Sequence, residues 1–120
     1  EQSMNIESMK RNVGYHLTVT NSVLDYFTKI ESEPVLNRVV SETLVYLISL
    51  QVDLSWMVND SETLLKELYS KIEKSSYDYI PTKKFDRLSY LNYRTNFALG
   101  IIFNPILKKY SEKKEKERGI

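Results

Sequence analysis

The sequence predicts an all-α fold, a single-domain antiparallel bundle of four to five helices with a central, nearly all-apolar helix. Three observations predict it. Apolar residues recur three, four or seven positions apart along most of the chain, the spacing of one helical face. No stretch alternates with period two for long enough to argue a strand. Gly and Pro number three each, too few for a turn-rich β architecture. At 120 residues the chain supports one core. Its 42% hydrophobic content and near-balanced charge exclude intrinsic disorder. The bundle is expected over residues 1–112, and 113–120 as a charged, frayed tail.

In the first helix Ile6, Met9, Val13, Leu17, Leu24, Phe27 and Ile30 share a face. Gly14 and the β-branched Thr18, Val19 and Thr20 weaken it, so a kink is expected there. Pro34 biases Glu33 away from helical angles, which ends this helix near Glu31. Pro34 also suits the first position of a second helix. Leu36, Val40, Leu44, Leu47, Leu54 and Val58 run down one side of that helix, and Val39, Val45, Ile48, Leu50, Val52, Trp56 and Met57 cover much of the rest. A helix apolar nearly all round belongs in the middle of a bundle.

Asn59 as N-cap would place Glu62 at the capping-box position of a third helix. That helix turns Leu64, Leu65, Leu68 and Ile72 inward and leaves Lys66, Glu67, Lys71 and Glu73 in water. Ser75 to Thr82, with Pro81, reads as a loop holding Tyr77 and Tyr79. The fourth helix would bury Phe85, Leu88, Leu91, Ala98 and Ile102. Asn104-Pro105 reads as an N-cap and first helical position, starting a last helix with Ile106, Leu107 and Tyr110.

Composition narrows function. No cysteine means no disulfide, thiolate nucleophile or Cys-based metal site, and one histidine precludes a multi-histidine site. No metal or other cofactor is expected. Absence of Cys suits a cytoplasmic or otherwise intracellular location. The chain begins at Glu1 with its first Met at position 4, which leaves room for a removed upstream signal or anchor. No membrane span is expected: the most apolar stretch, Leu44 to Val58, has 15 residues and includes Gln51 and Asp53, short of the roughly 18–20 a span needs. Asp53 itself reads as a hydrogen-bonded or rim carboxylate.

Charge is divided along the chain. Residues 1–80 carry 7 Lys+Arg against 12 Asp+Glu, and residues 81–120 carry 10 against 4. Lys83, Arg87, Tyr90 and Arg94 are spaced four, three and four apart, stacking on one helical face away from Phe85, Leu88 and Leu91. Tyr93, Tyr77 and Tyr79 extend it, and Lys84 belongs to the same positive cluster. Arginine with tyrosine is the composition of interface hot spots and of nucleic-acid surfaces. A merely solvated face is the plain alternative.

Arg11-Asn12-Val13-Gly14-Tyr15-His16 reads RNxxxH, which resembles the signature of HEPN-type ribonucleases, themselves small all-α bundles. The resemblance spans six residues. It implies metal-free RNA cleavage across a dimer, with His16 as general acid/base, Arg11 as phosphate clamp and Asn12 as an orienting group. The first reading remains a non-enzymatic protein–protein interaction module (adaptor, inhibitor or regulatory subunit) acting through the basic/tyrosine face of Lys83, Lys84, Arg87, Tyr90, Tyr93 and Arg94. Its partner would be another protein, an acidic one by charge. Nucleic-acid binding through the same face and the HEPN-like ribonuclease are the alternatives. The sequence leaves the oligomeric state open and allows a homodimer.

Overall fold

Helix spacing and the short connectors produce five helices among the described residues. The computed structural model describes residues 8, 10–98 and 100–117, with side chains described to residue 113. The helices are α1 (Val13–Lys29), α2 (Pro34–Trp56), α3 (Ser61–Lys74), α4 (Lys84–Arg94) and α5 (Gly100–Glu117). Among the described residues there is no strand. The fold is an all-α bundle.

Cross-links fix the directions. Val13 clusters with Leu54 and Met57, and His16 meets Gln51, so α1 and α2 are antiparallel. Asn21 reaches Glu67, and Asp25 pairs with Lys71 at 2.7 Å, so α1 and α3 run parallel. Glu73 meets Tyr93 while Lys66 lies over the Phe97 ring, which sets α4 antiparallel to α3. Phe85 stacks on Tyr110 and Asn92 bonds Asn104, closing α4 and α5 as an antiparallel hairpin.

The core is the shared apolar face of these elements: Leu17, Leu24 and Phe27 of α1; Leu44, Ile48, Val52 and Trp56 of α2; Leu65, Leu68 and Ile72 of α3; and Phe85 and Leu107. Each such side chain, fully buried, stabilises by about 1.5–3 kcal/mol relative to exposure. The C-terminal half of α2 is central, with Gln51 to Met57 all buried. Its N-terminal half is peripheral, exposing Val35, Leu36, Val39, Val45 and Tyr46. By length and composition alone α2 could cross a membrane; in the bundle its C-terminal half is wrapped by the other helices.

Several boundaries differ from expectation. Ile6 and Met9 lie outside the described residues. The break in the first helix falls at Asn12 rather than between Gly14 and Thr20. Thr18 and Thr20 instead return their hydroxyls to the carbonyls of Gly14 and His16, which keeps them compatible with a helix. α3 is flanked by Asp60, not Asn59, and Asp60 makes no side-chain cap bond. Glu62 is still useful there, as an acid in the first turn with Lys71 and Lys74 in the last.

The fourth helix stops at Arg94 instead of continuing to Ile102. Asn96 and Phe97 take left-handed φ values of 56° and 58°, a conformation that ends a helix. The Phe97 amide then donates to the Asn92 carbonyl at 2.8 Å. Ala98 is an exposed turn residue, not a core one. The last helix starts at Gly100, so Asn104-Pro105 is not its cap: Pro105 lies inside α5. Pro105 and Ile101 are both exposed, so the carbonyl left without its i+4 donor can turn to water.

Candidate protein-binding face

Helix α4 carries the main surprise. Its buried residues are Phe85, Asp86, Ser89 and Asn92, whereas Leu88 and Leu91, expected inside, are 38% and 51% exposed. The polar stripe faces the core and the leucines face solvent.

The physical cause sits on α2 and α3. Trp56 and Tyr69 are fully buried, and each has a polar tip that burial leaves in need of a partner. Both tips find Ser89: the Trp56 indole N–H and the Tyr69 hydroxyl each donate to its Oγ at 2.9 Å. Leaving such a donor unpaired costs about 1–3 kcal/mol, as much as burying a leucine gains. One turn on, Asn92 Nδ2 donates to Asn104 Oδ1 at 2.7 Å, and Asn104 Nδ2 donates to the Glu62 carboxylate. Gly100 permits this relay: a Cβ there would lie 3.0 Å from Asn104 Nδ2 and 3.2 Å from Glu62 Oε2. On α5, Ser111 donates to the Asp53 carbonyl, and Lys108 Nζ donates to the Val58 carbonyl at 3.2 Å. Asp53 is buried, not at the rim.

With that register, Leu88 and Leu91 face outward on α4, as do several residues of α5. Ile102, Ile106 and Tyr110 are 60%, 59% and 53% exposed. Lys84, Arg87, Lys109 and Lys113 are also exposed on these outer sides. The carboxylates nearest in sequence point elsewhere: Asp86 is buried, and Glu112 is 3.6 Å from Lys10. The outer sides of α4 and α5 thus expose both apolar and cationic side chains.

The residues singled out as a basic/tyrosine face are divided between two sides of α4. Lys84 lies on the side of Leu88 and Leu91, and the exposed Arg87, two turns before Arg94 and on nearly the same side, donates from Nε to the Pro81 carbonyl at 3.3 Å. Lys83 flanks the helix start and lines a cavity beside α2. Tyr90, Tyr93 and Arg94 turn toward α3. Tyr90 packs on Tyr69, Tyr79 and Tyr93 at ring distances of 5.1, 5.4 and 6.1 Å. Tyr93 donates to Glu73 Oε1 at 2.9 Å, and burial first, then Glu73, pushes its pKa up. Arg94 lies 3.6 Å from Glu73 and 5.9 Å from the centre of the Tyr90 ring. Its guanidinium is thus answered by a neighbouring carboxylate. The sequence missed Leu88 and Leu91 as surface residues; the signal for them is the stripe Asp86, Ser89, Asn92, read together with the partner-seeking tips of Trp56 and Tyr69.

The RNxxxH residues are also separated. Arg11 and Asn12 are exposed, and Asn12 Nδ2 donates back to the Ser8 carbonyl at 2.8 Å. His16 is half-buried. Ser55 gives its proton to the Gln51 carbonyl at 2.7 Å and accepts from Gln51 Nε2 at 3.0 Å. Gln51 Oε1 is therefore the atom facing His16, and Nδ1–H donates to it at 2.6 Å. His16 Nε2 is buried with no partner. Neither ring nitrogen is presented to solvent.

No group of three or more His, Asp or Glu side chains that could hold a metal ion occurs among the described residues. No family model, curated protein or solved structure matches the chain significantly.

Proposed function

We propose that this protein is a non-enzymatic interaction module that binds another protein through the outer face of the α4–α5 hairpin. One observation carries the reading: α4 is turned so that Leu88 and Leu91 remain outside, as Ile102 and Ile106 of α5 do, while its polar stripe is used internally. An exposed apolar face on a small bundle marks an interaction site. The exposed Lys84, Arg87, Lys109 and Lys113 select a partner whose contact surface is both apolar and acidic. The leucines and isoleucines supply contact, and the cations supply steering, which weakens as salt screens it.

The ribonuclease reading has less support, because His16 has one ring nitrogen on Gln51 and the other sealed. The nucleic-acid reading shares the cations of the outer face but leaves its leucines without a role.

The test uses the partner recovered from the native source and then purified, with binding rates measured for three proteins. Leu88→Ser/Leu91→Ser should weaken affinity roughly tenfold or more, the loss of one or two hot-spot contacts. Lys84→Glu/Arg87→Glu should slow association and flatten its salt dependence. Unchanged binding by both variants overturns the proposal. So does tight binding to nucleic acid with a steep log–log salt slope and indifference to the leucine substitutions.

A further inference from the structure

The peripheral half of α2 turns outward a face with a pattern of its own. Val35, Arg38, Glu42 and Val45 follow one another at steps of three, four and three, the seam spacing of helices that pack on one another. All four are exposed, on the side away from the buried Leu44 and Ile48. Val39 and Tyr46 flank the seam and are exposed as well. The seam is continuous. Residues from Pro34 to Glu42 border one groove and those from Glu42 to Ser49 border the next, where Ile80 of the α3–α4 loop adds another exposed apolar side chain.

Charge and apolar side chains are placed symmetrically along this seam. Arg38 and Glu42 lie two residues to either side of position 40, and Val35 and Val45 lie five to either side. Turned antiparallel about that level, a second α2 sets its Glu42 against Arg38 and its Val45 against Val35. One register therefore satisfies the ions and the valines together. A parallel pairing would set Arg38 on Arg38 and Glu42 on Glu42, and like charges face to face repel. Within one chain Arg38 Nε and Glu42 Oε1 are 3.8 Å apart. An exposed pair of this kind adds little stability by itself; a second copy turns it into a ring of four alternating charges. A lipid surface gains nothing from such a neutral pair, since helices that lie on membranes present chiefly cations on their polar face.

We infer that the outward seam of α2 is a self-association surface, on which a second copy of this chain docks antiparallel with its Glu42 beside Arg38. Only about three turns of helix meet, and the layer at their centre is charged, which fixes register at a cost in stability. The contact falls below the roughly 800 Å² per partner of a standard interface. The dimer is therefore weak, with a dissociation constant of about 10–100 μM. None of its residues belongs to the α4–α5 face, so it stands or falls independently of the proposed partner surface.

The experiment is sedimentation equilibrium of the purified chain at low salt, from about 5 μM to 1 mM, the range a weak dimer samples. The unmodified chain is expected to dimerise. Arg38→Glu alone and Glu42→Arg alone should each weaken the dimer roughly tenfold or more, since each sets like charges together. Mixing those two variants in equal amounts should restore association as a heterodimer, and the double variant Arg38→Glu/Glu42→Arg should restore the homodimer. Val35→Ser/Val45→Ser should weaken association to a similar degree. Val35 is 77% and Val45 61% exposed, so melting temperatures should hold and a lost dimer is not a lost fold. A chain that stays monomeric throughout, or charge variants that fail to complement each other, overturns the inference. So does a dimer that survives the α2 substitutions; its loss with Leu88→Ser/Leu91→Ser would place self-association on the α4–α5 face instead. A monomer that binds phosphatidylcholine–phosphatidylserine vesicles through Val35 and Val45 overturns it as well.

Discussion

Helices α3 and α4 lie against each other and solve the same problem in opposite ways. In α3, Leu65, Leu68 and Ile72 go inside and Lys66, Glu67 and Glu73 stay in water. In α4, Asp86, Ser89 and Asn92 go inside and Leu88 and Leu91 stay out. The difference teaches that a helix is oriented by what its neighbours lack. α3 packs on the aliphatic residues of α1 and α2. α4 arrives where Trp56 and Tyr69 already hold buried donors, and a hydroxyl there is worth more than another methyl group.

The sharpest way to break this contrast is one substitution made on each helix. Leu68→Ala should cost about 2–5 kcal/mol in denaturant unfolding, the usual penalty for truncating a fully buried leucine. Leu88→Ala, the same chemical change on α4, should cost less than about 0.5 kcal/mol. Comparable losses at the two positions would mean that Leu88 is inside and the orientation of α4 is wrong.

Next in size is Ser89→Ala. It removes a few atoms yet orphans two buried donors, so about 2–3 kcal/mol should be lost, with the melting curve as readout. A neutral result would show that Trp56 and Tyr69 do not depend on α4.

The same tyrosines make a pH prediction. Burial raises the Tyr69 and Tyr79 hydroxyls above the ordinary value of 10.0. A raised folded-state pKa contributes stability that is complete below the unfolded value and is lost as pH rises toward the folded one. Unfolding midpoints, all else equal, should therefore fall above about pH 10, and Tyr79→Phe should make that fall shallower.

The smallest effect belongs to Glu73, where α3 and α4 meet in water. Glu73→Gln breaks an exposed contact with Tyr93 and Arg94 and should cost under about 1 kcal/mol. A larger loss would show that the tyrosine cluster depends on this carboxylate.

Much of the fold was legible because α1 to α3 follow simple rules. Pro34 opens α2 as its spacing implies, and the inward leucines of α3 match their periodicity. The hairpin was not legible, for identifiable reasons. Nothing in the Thr95–Ala98 composition announces two left-handed residues in a row, least of all at Phe97; its ring is held by Tyr93 at 6.4 Å and by Lys66. Pro105 is a reliable start signal only when the preceding turn is not already helical. Here Gly100 to Asn104 form that turn, with Asn104 drawn inward by Asn92 and Glu62. The candidate site was half legible. Lys84 and Arg87 are exposed, but Leu88 and Leu91, which the spacing set on the opposite, inward side, are exposed too, while Tyr90, Tyr93 and Arg94 went to α3 because a tyrosine cluster and Glu73 awaited them there.

Trp56 is the only tryptophan in the chain, fully buried, with its indole N–H on Ser89. That makes the molecule its own optical gauge. Fluorescence from this single ring should be blue-shifted while α4 is seated and move red as soon as water reaches Ser89. Partial detachment of the hairpin can thus be told from global unfolding with no label attached.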